Sequence, residues 1–515
     1  MTLEEQRSPA EDQPGDVPPP VANRPPAQGV VPAVLAVAVT GIALLPWLVA
    51  IPRLQAALCL LQVSIAAAGI AKSAVPVPRP IALVTFVFIF SWLGVAPIYQ
   101  LSHGRAAWLD SSVLQSPDVT QALVLMVLAT AILFIGLLRP LSSRTSARAT
   151  HMRILDPPRS VCLGYLLACL ALTPPAVSAL GGVAGMFSSR SDRAEALGQQ
   201  GLVLDQVGGL ALALVGILPG ALATAAAYLT LVRVINQVRS RGWLEVSAVD
   251  AGMLVVALGL VVLLANPFIN TRALSAAALG SLVLLILRPR SRRAGVWMAV
   301  VLLVGTLVAY PAANFFRGTE AVSSEPGFQS LASQDFDGFQ QVINTIGFVD
   351  DNGHTWGTHT LSGILYIVPR SIWADKERPA SIDVAAHRGY VFTNLSLPLP
   401  AEWYLDFGPV GMCVGLFFLA AGARRCDEAW TADPRSGLAM LAPYASLAAL
   451  SMIRGPIGSN GPVYLTNLGL IALGLLAASH STAEPITEER RRDTASSLPG
   501  QKAISTRPDV GRTRT

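Results

Sequence analysis

The stretch PRSIWADKERP, residues 369–379, gathers Arg370, Lys376 and Arg378 around Trp373 in a chain otherwise dominated by Leu, Ala, Val and Gly. Guanidinium stays charged and offers a planar fork of donors that matches phosphate oxygens, and an ammonium adds a mobile point charge. Arg190, Arg272 and Arg317 stand in other segments between apolar runs. Cations of this kind recognise a polyanion, and they also lower a barrier if a phosphate is the group that departs with growing charge. Attack by a hydroxyl needs a base as well. AEWYLDFG, residues 401–408, supplies Glu402 and, one helical turn on, Asp406 on the same face. DDNGHTWGTH, residues 350–359, holds Asp350, Asp351, His354 and His359, a mixture of N and O donors. Its spacing fits no established metal motif and Gly353 and Gly357 mark a turn, so we read it as a loop without a metal, with His354 or His359 as alternative bases. The ordinary reading of the arginines is that they snorkel to headgroups or pair with loop acids such as Asp192, Glu195, Asp375 and Glu377. Trp373 and its aromatic neighbours suit either a sugar face or an interfacial belt.

These residues must be positioned by membrane helices. Only 13% of the 515 residues are charged, about half of what a soluble domain carries, and mean hydropathy is +0.52. About twelve apolar runs of spanning length recur, the shortest at 54–71 and 273–287. The expected fold is therefore an all-α polytopic membrane protein of about twelve transmembrane helices. Residues 1–28 read as a Pro-rich disordered cytoplasmic tail without the basic start of a signal peptide. Spans one to nine occupy 29–313, a large external loop 314–406, spans ten to twelve 407–480, and a second cytoplasmic tail 481–515. Arginines concentrate in alternate loops, such as Arg139 to Arg159 and Arg288 to Arg293, which places both termini in the cytoplasm of a multi-pass plasma-membrane protein. The same collars explain the net charge of +5 without nucleic acid. Five cysteines form no CxxC pair and none falls in an external loop, which argues against a disulfide framework or thiolate metal site.

The external loop reads as folded rather than disordered. Phe328, Leu331, Phe339, Val342, Ile343 and Ile346 approximate helical spacing, and LSGILYIVPRSIW, too short to span, reads as an interfacial or re-entrant helix ending near Pro369 and Trp373. External arginines beside a membrane-embedded cavity, on a side where no nucleotides are supplied, point to a diphosphate carried on a lipid.

PRSIWADKERP, preceded by FDGFQQVINTIGFVDD and WGTHTLSGILYIV and followed by NLSLPLPAEWYLDFGPVG, resembles the oligosaccharide repeat unit polymerases, the Wzy-type enzymes of bacterial O-antigen and capsular or exopolysaccharide assembly. SSRSDRAEALGQQG and ANPFINTR add to the likeness, which covers roughly residues 181–201, 265–272 and 314–412. The resemblance implies a GT-C-like glycosyltransferase without metal or cofactor. It would join undecaprenyl-diphosphate-linked glycans, the growing chain as donor and one repeat unit as acceptor. Arg370 and Lys376 would hold the diphosphate with Arg378 and Trp373 beside them, Arg272 and Arg317 would complete the clamp, Arg190 would hold the glycan or a second diphosphate, and Glu402 would be the base. Some members carry Arg-x10-Gly in two external loops; Arg190 to Gly201 fits, whereas Arg317 meets Gly327 one residue early. Membrane lipids, a chain-length regulator and a flippase are the implied partners. An O-antigen ligase type of transferase, or a flippase of lipid-linked oligosaccharides, remains open as an alternative.

Overall fold

The computed structural model describes residues 30–108, 110–139, 156–188, 212–268, 270–312, 327–392, 395–433 and 436–481. Before the long loop run α1 (Val30–Leu48), α2 (Arg53–Ala74), α3 (Pro80–His103), α4 (Asp118–Leu138), α5 (Arg159–Ala179), α6 (Leu214–Arg241), α7 (Ala248–Leu264), α8 (Arg272–Leu287) and α9 (Arg292–Ala312). Within it lie α10 (Gly338–Asn352), α11 (Thr358–Ile364) and α12 (Ala380–His387), and after it α13 (Leu399–Ala432), α14 (Gly437–Arg454) and α15 (Ile457–Ser481). Each apolar run read from the sequence coincides with one of these helices. Among the described residues nine are long and apolar enough to cross a bilayer, while α1, α7 and α8 are shorter. The 54–71 run extends to the full length of α2; the 273–287 run stays short as α8. There is no strand among the described residues.

Two packed cores form the bundle. One joins α2, α3, α4, α13 and the loop; the other joins α5 to α8 with α14 and α15. The most enclosed helix is α3, 94% of whose apolar window is buried, against 17% for α9. Large apolar side chains such as Trp297, Val301 and Val308 on α9 face outward, as lipid-facing residues do. At the end of the bundle away from the long loop, Asp427 accepts hydrogen bonds from the Ile81 and Ala82 amides, both at 2.9 Å, satisfying two donors at the start of α3.

The loop end is less regular, for identifiable reasons. Phe339, Val342, Ile343, Ile346 and Val349 make the buried face of α10 as the spacing predicts. Phe328 and Leu331 instead lie in a 3-10 turn, with Phe328 exposed. Side chains of α3 take the carbonyls that a continuous helix would use: Gln100 donates to Leu331 O and Phe336 O at 2.8 and 2.9 Å, and Trp92 Nε1 to Asp335 O at 2.7 Å. The LSGILYIVPRSIW segment is helical only as far as Ile364, so a helix ending near Pro369 is corrected to one ending five residues earlier. A residue ahead of proline avoids the helical region, and the Lys376 ammonium stabilises the break by binding three freed carbonyls.

Helix α13 starts at Leu399 and bends at Gly408, whose φ of 68° lies in the left-handed region that glycine tolerates. Pro409 has no N–H to offer Leu405 O. The Thr355 amide and His354 Nδ1 donate to that carbonyl instead, at 3.2 and 3.3 Å. Glu402 and Asp406 therefore stand on a short helical arm ahead of the kink, locked to the loop.

Candidate functional site

Two clusters of charged side chains occupy the loop end. The first is built on Tyr310, just past a π-helical turn at Gly305–Ala309 of α9. A second π-helical turn, Ser91–Val95 of α3, faces it, and Ser91 and Thr306 hydrogen-bond across at 3.1 Å. Such single-turn bulges are common where a helix must present a functional side chain. Arg272, the first residue of α8, donates from Nη1 to Tyr310 O at 2.6 Å and places its guanidinium 4.6 Å over the Tyr310 ring. Its Nη2 lies 3.7 Å from the Asp335 carboxylate. Arg454, the last residue of α14, donates to Tyr310 Oη at 3.1 Å and to Asp335 O at 3.4 Å, with its guanidinium 5.9 Å from the same ring. Arg454 Nε is buried and has no hydrogen-bond partner among the described residues. Two guanidiniums from helices far apart in sequence thus share one aromatic ring, and Arg272 faces the Asp335 carboxylate while Arg454 takes the Asp335 carbonyl.

Arg454 is held in place from behind. The turn Gly455–Pro456 leads to Ile457, whose amide donates to Glu402 Oε2 at 2.8 Å, and Asn460 Nδ2 donates to Ser451 O at 2.6 Å. Glu402 is fully buried. It caps the start of α15 by accepting the Ile457 amide. The expected role of Glu402 as a base in contact with a hydroxyl finds no open approach in this geometry: one oxygen is on Ile457 and the other, Oε1, is buried.

The second cluster lies one turn along α13, about 6 Å on. Asp406, also fully buried, accepts from Thr355 Oγ1 at 2.6 Å and from the Thr360 amide at 2.8 Å. His359 Nδ1 faces Thr355 Oγ1 at 3.1 Å and Asp406 Oδ1 at 3.4 Å, and Nε2 faces Asp383 Oδ2 at 3.0 Å. Burial opposes a charged imidazole here, but the hydrogen bonds to Asp383 and Asp406 outweigh it and raise the pKa to about 9. The remaining donors of DDNGHTWGTH do not gather: Asp351 pairs with His387 at 2.9 Å and His354 is spent on Leu405 O. His359 converges instead with Glu377 and Asp383.

The PRSIWADKERP turn lies beside these clusters and commits Lys376 and Arg370 to its own backbone. Lys376 Nζ donates to Leu365 O, Tyr366 O and Val368 O at 3.0, 2.8 and 3.1 Å. An ammonium has three donors, so none is left for a ligand. Burial and then the nearby Arg370 charge lower its pKa. Arg370 is exposed and binds Lys376 O and Glu377 O. In this geometry Lys376 caps the turn's backbone with all three donors, and Arg370 caps it with two contacts from an exposed position. Arg378 is exposed and Trp373 half-buried. The turn closes on the bundle at Pro379, where a Cβ on Gly458 would come within 3.0 Å. Arg190 and Arg317 lie outside the described residues. Of the expected clamp, Arg272 alone is seen in a cationic cluster, and its companion is Arg454, which the sequence shows only as one more arginine at a span end. Asp383 and Tyr310 carried no signal beyond their residue type.

No protein-family model, curated protein or solved structure matches the chain. The fold and site define an all-α membrane-embedded protein with a half-buried, paired-arginine cluster at one end of its helices.

Proposed function

We propose that the protein is a glycosyltransferase that polymerises undecaprenyl-diphosphate-linked oligosaccharide repeat units at the outer face of the plasma membrane, with both termini cytoplasmic. The observation that carries this reading is the convergence of Arg272 and Arg454 on Tyr310. Paired guanidiniums at bilayer-helix ends suit an anion whose tail lies in the lipid, and diphosphate is the lipid-borne anion that can serve as a leaving group. In the reaction an acceptor hydroxyl forms a bond to the donor's anomeric carbon as the bond from that carbon to the diphosphate breaks, and the hydroxyl proton passes to water or to the departing diphosphate. The electron pair leaves with the diphosphate, where preorganised cations stabilise it. Glu402 contributes by fixing the turn that presents Arg454. The PRSIWADKERP turn contributes by closing α11 against α15, where a Cβ on Gly363 would fall 2.8 Å from the Gly458 amide.

The test is purified protein in lipid given one defined lipid-diphosphate-linked repeat unit and no nucleotide sugar. A ladder of lengthened lipid-linked glycans supports the polymerase. Transfer to a different lipid acceptor without a ladder would make it a ligase, and vectorial movement of unaltered substrate would replace the enzyme by a flippase.

A further inference from the structure

We propose that His359, Glu377 and Asp383 form a binding site for a divalent transition metal, Zn2+ or Mn2+, that ties the PRSIWADKERP turn to α11 and α12. One ligand atom from each residue lies within 4.8 Å of the others. The three donors come from three separate segments, so a cation bound among them links elements that the backbone leaves independent. His359 is supported as metal-bound imidazoles are: its Nδ1 side faces the buried Asp406 carboxylate and the Thr355 hydroxyl, which directs Nε2 toward Asp383 and Glu377. Asp406 is itself pinned by the Thr360 amide.

A second observation concerns Glu377. Its amide is held by Ser362 Oγ at 3.0 Å and its carbonyl by Arg370. Its carboxylate takes no ion pair or hydrogen bond among the described residues, although Arg370, Lys376 and Arg378 are close in sequence. The turn thus commits Lys376 and Arg370 to carbonyls and leaves this carboxylate beside the imidazole and a second carboxylate. Ligand bonds of about 2.0–2.2 Å require donors no more than about 4.4 Å apart. Glu377 is exposed, and its three side-chain torsions cover the remaining shift. One nitrogen with two carboxylates and open positions suits Zn2+ or Mn2+ rather than Ca2+, which prefers an all-oxygen shell. Binding displaces the proton from Nε2. The site is independent of the glycosyl-transfer reading and stands or falls without it.

The experiment uses full-length protein in lipid nanodiscs, stripped with chelator and titrated separately with ZnCl2, MnCl2 and CaCl2, read by calorimetry, bound-metal analysis and thermal midpoint. One Zn2+ or Mn2+ per chain is expected, with a rise in midpoint and no comparable binding of Ca2+. Asp383→Asn removes binding, Asp406→Asn weakens it about 10–100-fold by loosening the imidazole, and the exposed Glu377→Gln weakens it at least tenfold with the metal-free midpoint unchanged. A wild type that binds no stoichiometric transition metal overturns the site. So does a Glu377→Gln protein that binds and is stabilised like wild type.

Discussion

The arginine cluster and the PRSIWADKERP turn hold the same kinds of residue, but the turn ties its cations to carbonyls of its own segment whereas the cluster brings arginines of two helices onto one ring. In the turn, Lys376 spends all three donors on carbonyls and Arg370 adds two more contacts of the same kind. In the cluster, Arg272 and Arg454 lie against one aromatic ring, Arg272 also faces the Asp335 carboxylate, and Arg454 keeps a buried Nε without a partner among the described residues. The difference follows from secondary structure. A broken helix before Pro369 leaves free carbonyls that must be paired, and the nearest cations supply the donors. At the ends of α8 and α14 each guanidinium also takes one backbone carbonyl, Arg272 that of Tyr310 and Arg454 that of Asp335, but the two come from separate helices and converge on one ring. A dense run of cations is therefore not by itself an anion site, because the backbone of its own turn can take the donors.

The largest effect should come from the cluster. Arg454→Ala and Arg272→Ala are each expected to cut chain-lengthening about 10²-fold or more in the reconstituted assay, the usual cost of losing a preorganised donor to a departing anion. Arg454→Lys keeps the charge but not the fork and should recover only part of the rate. Next comes Glu402. If it positions Arg454, Glu402→Gln keeps an oxygen for the Ile457 amide and retains most activity, whereas Glu402→Ala loses both the cap and the rate. A proton-accepting Glu402 would instead make both variants inactive, so the amide variant separates the two roles.

A smaller effect concerns His359, which faces Asp383, Asp406 and Glu377 with Glu402 one turn behind. Its pKa of about 9 in the folded protein exceeds the ordinary value of about 6.5. The associated stability is whole below about pH 6.5 and is lost as pH rises through about 9. In chelator-treated protein the thermal midpoint should fall across that interval by the equivalent of about 1–3 kcal/mol, and His359→Gln should flatten the dependence. In the turn, Lys376→Met should cost about 1–2 kcal/mol of stability through unpaired carbonyls. Arg370→Ala, at an exposed site, should cost less than about 0.5 kcal/mol and leave catalysis intact. Equal losses of rate from Arg370→Ala and Arg454→Ala would erase the distinction between the two regions.

The helices were legible because lipid forces every spanning backbone to satisfy its own hydrogen bonds within a long apolar run. Their exact extent was less so: α13 begins eight residues before the apolar stretch at 407, because most of Leu399 to Asp406 is buried against protein. The buried face of α10 was readable from spacing, whereas the turn at Phe328 was not, since Gln100 and Trp92 that reshape it are more than two hundred residues away in sequence. The candidate site was legible as a set of residue types. Which cation meets which partner was not, because Tyr310, Asp335, Arg272 and Arg454 belong to four segments, and because the group occupying Glu402 is an amide 55 residues further on. The aspartate opposite His359 was hidden for the same reason.

The most direct test of the paired-arginine site is equilibrium binding of undecaprenyl diphosphate to nanodisc-embedded protein, compared among wild type, Arg370→Ala, Arg272→Ala and Arg454→Ala. Wild type and Arg370→Ala should bind alike, while each cluster variant binds at least tenfold more weakly. Unchanged binding in Arg272→Ala and Arg454→Ala together with loss in Arg370→Ala would return the anion site to the PRSIWADKERP turn and contradict the account.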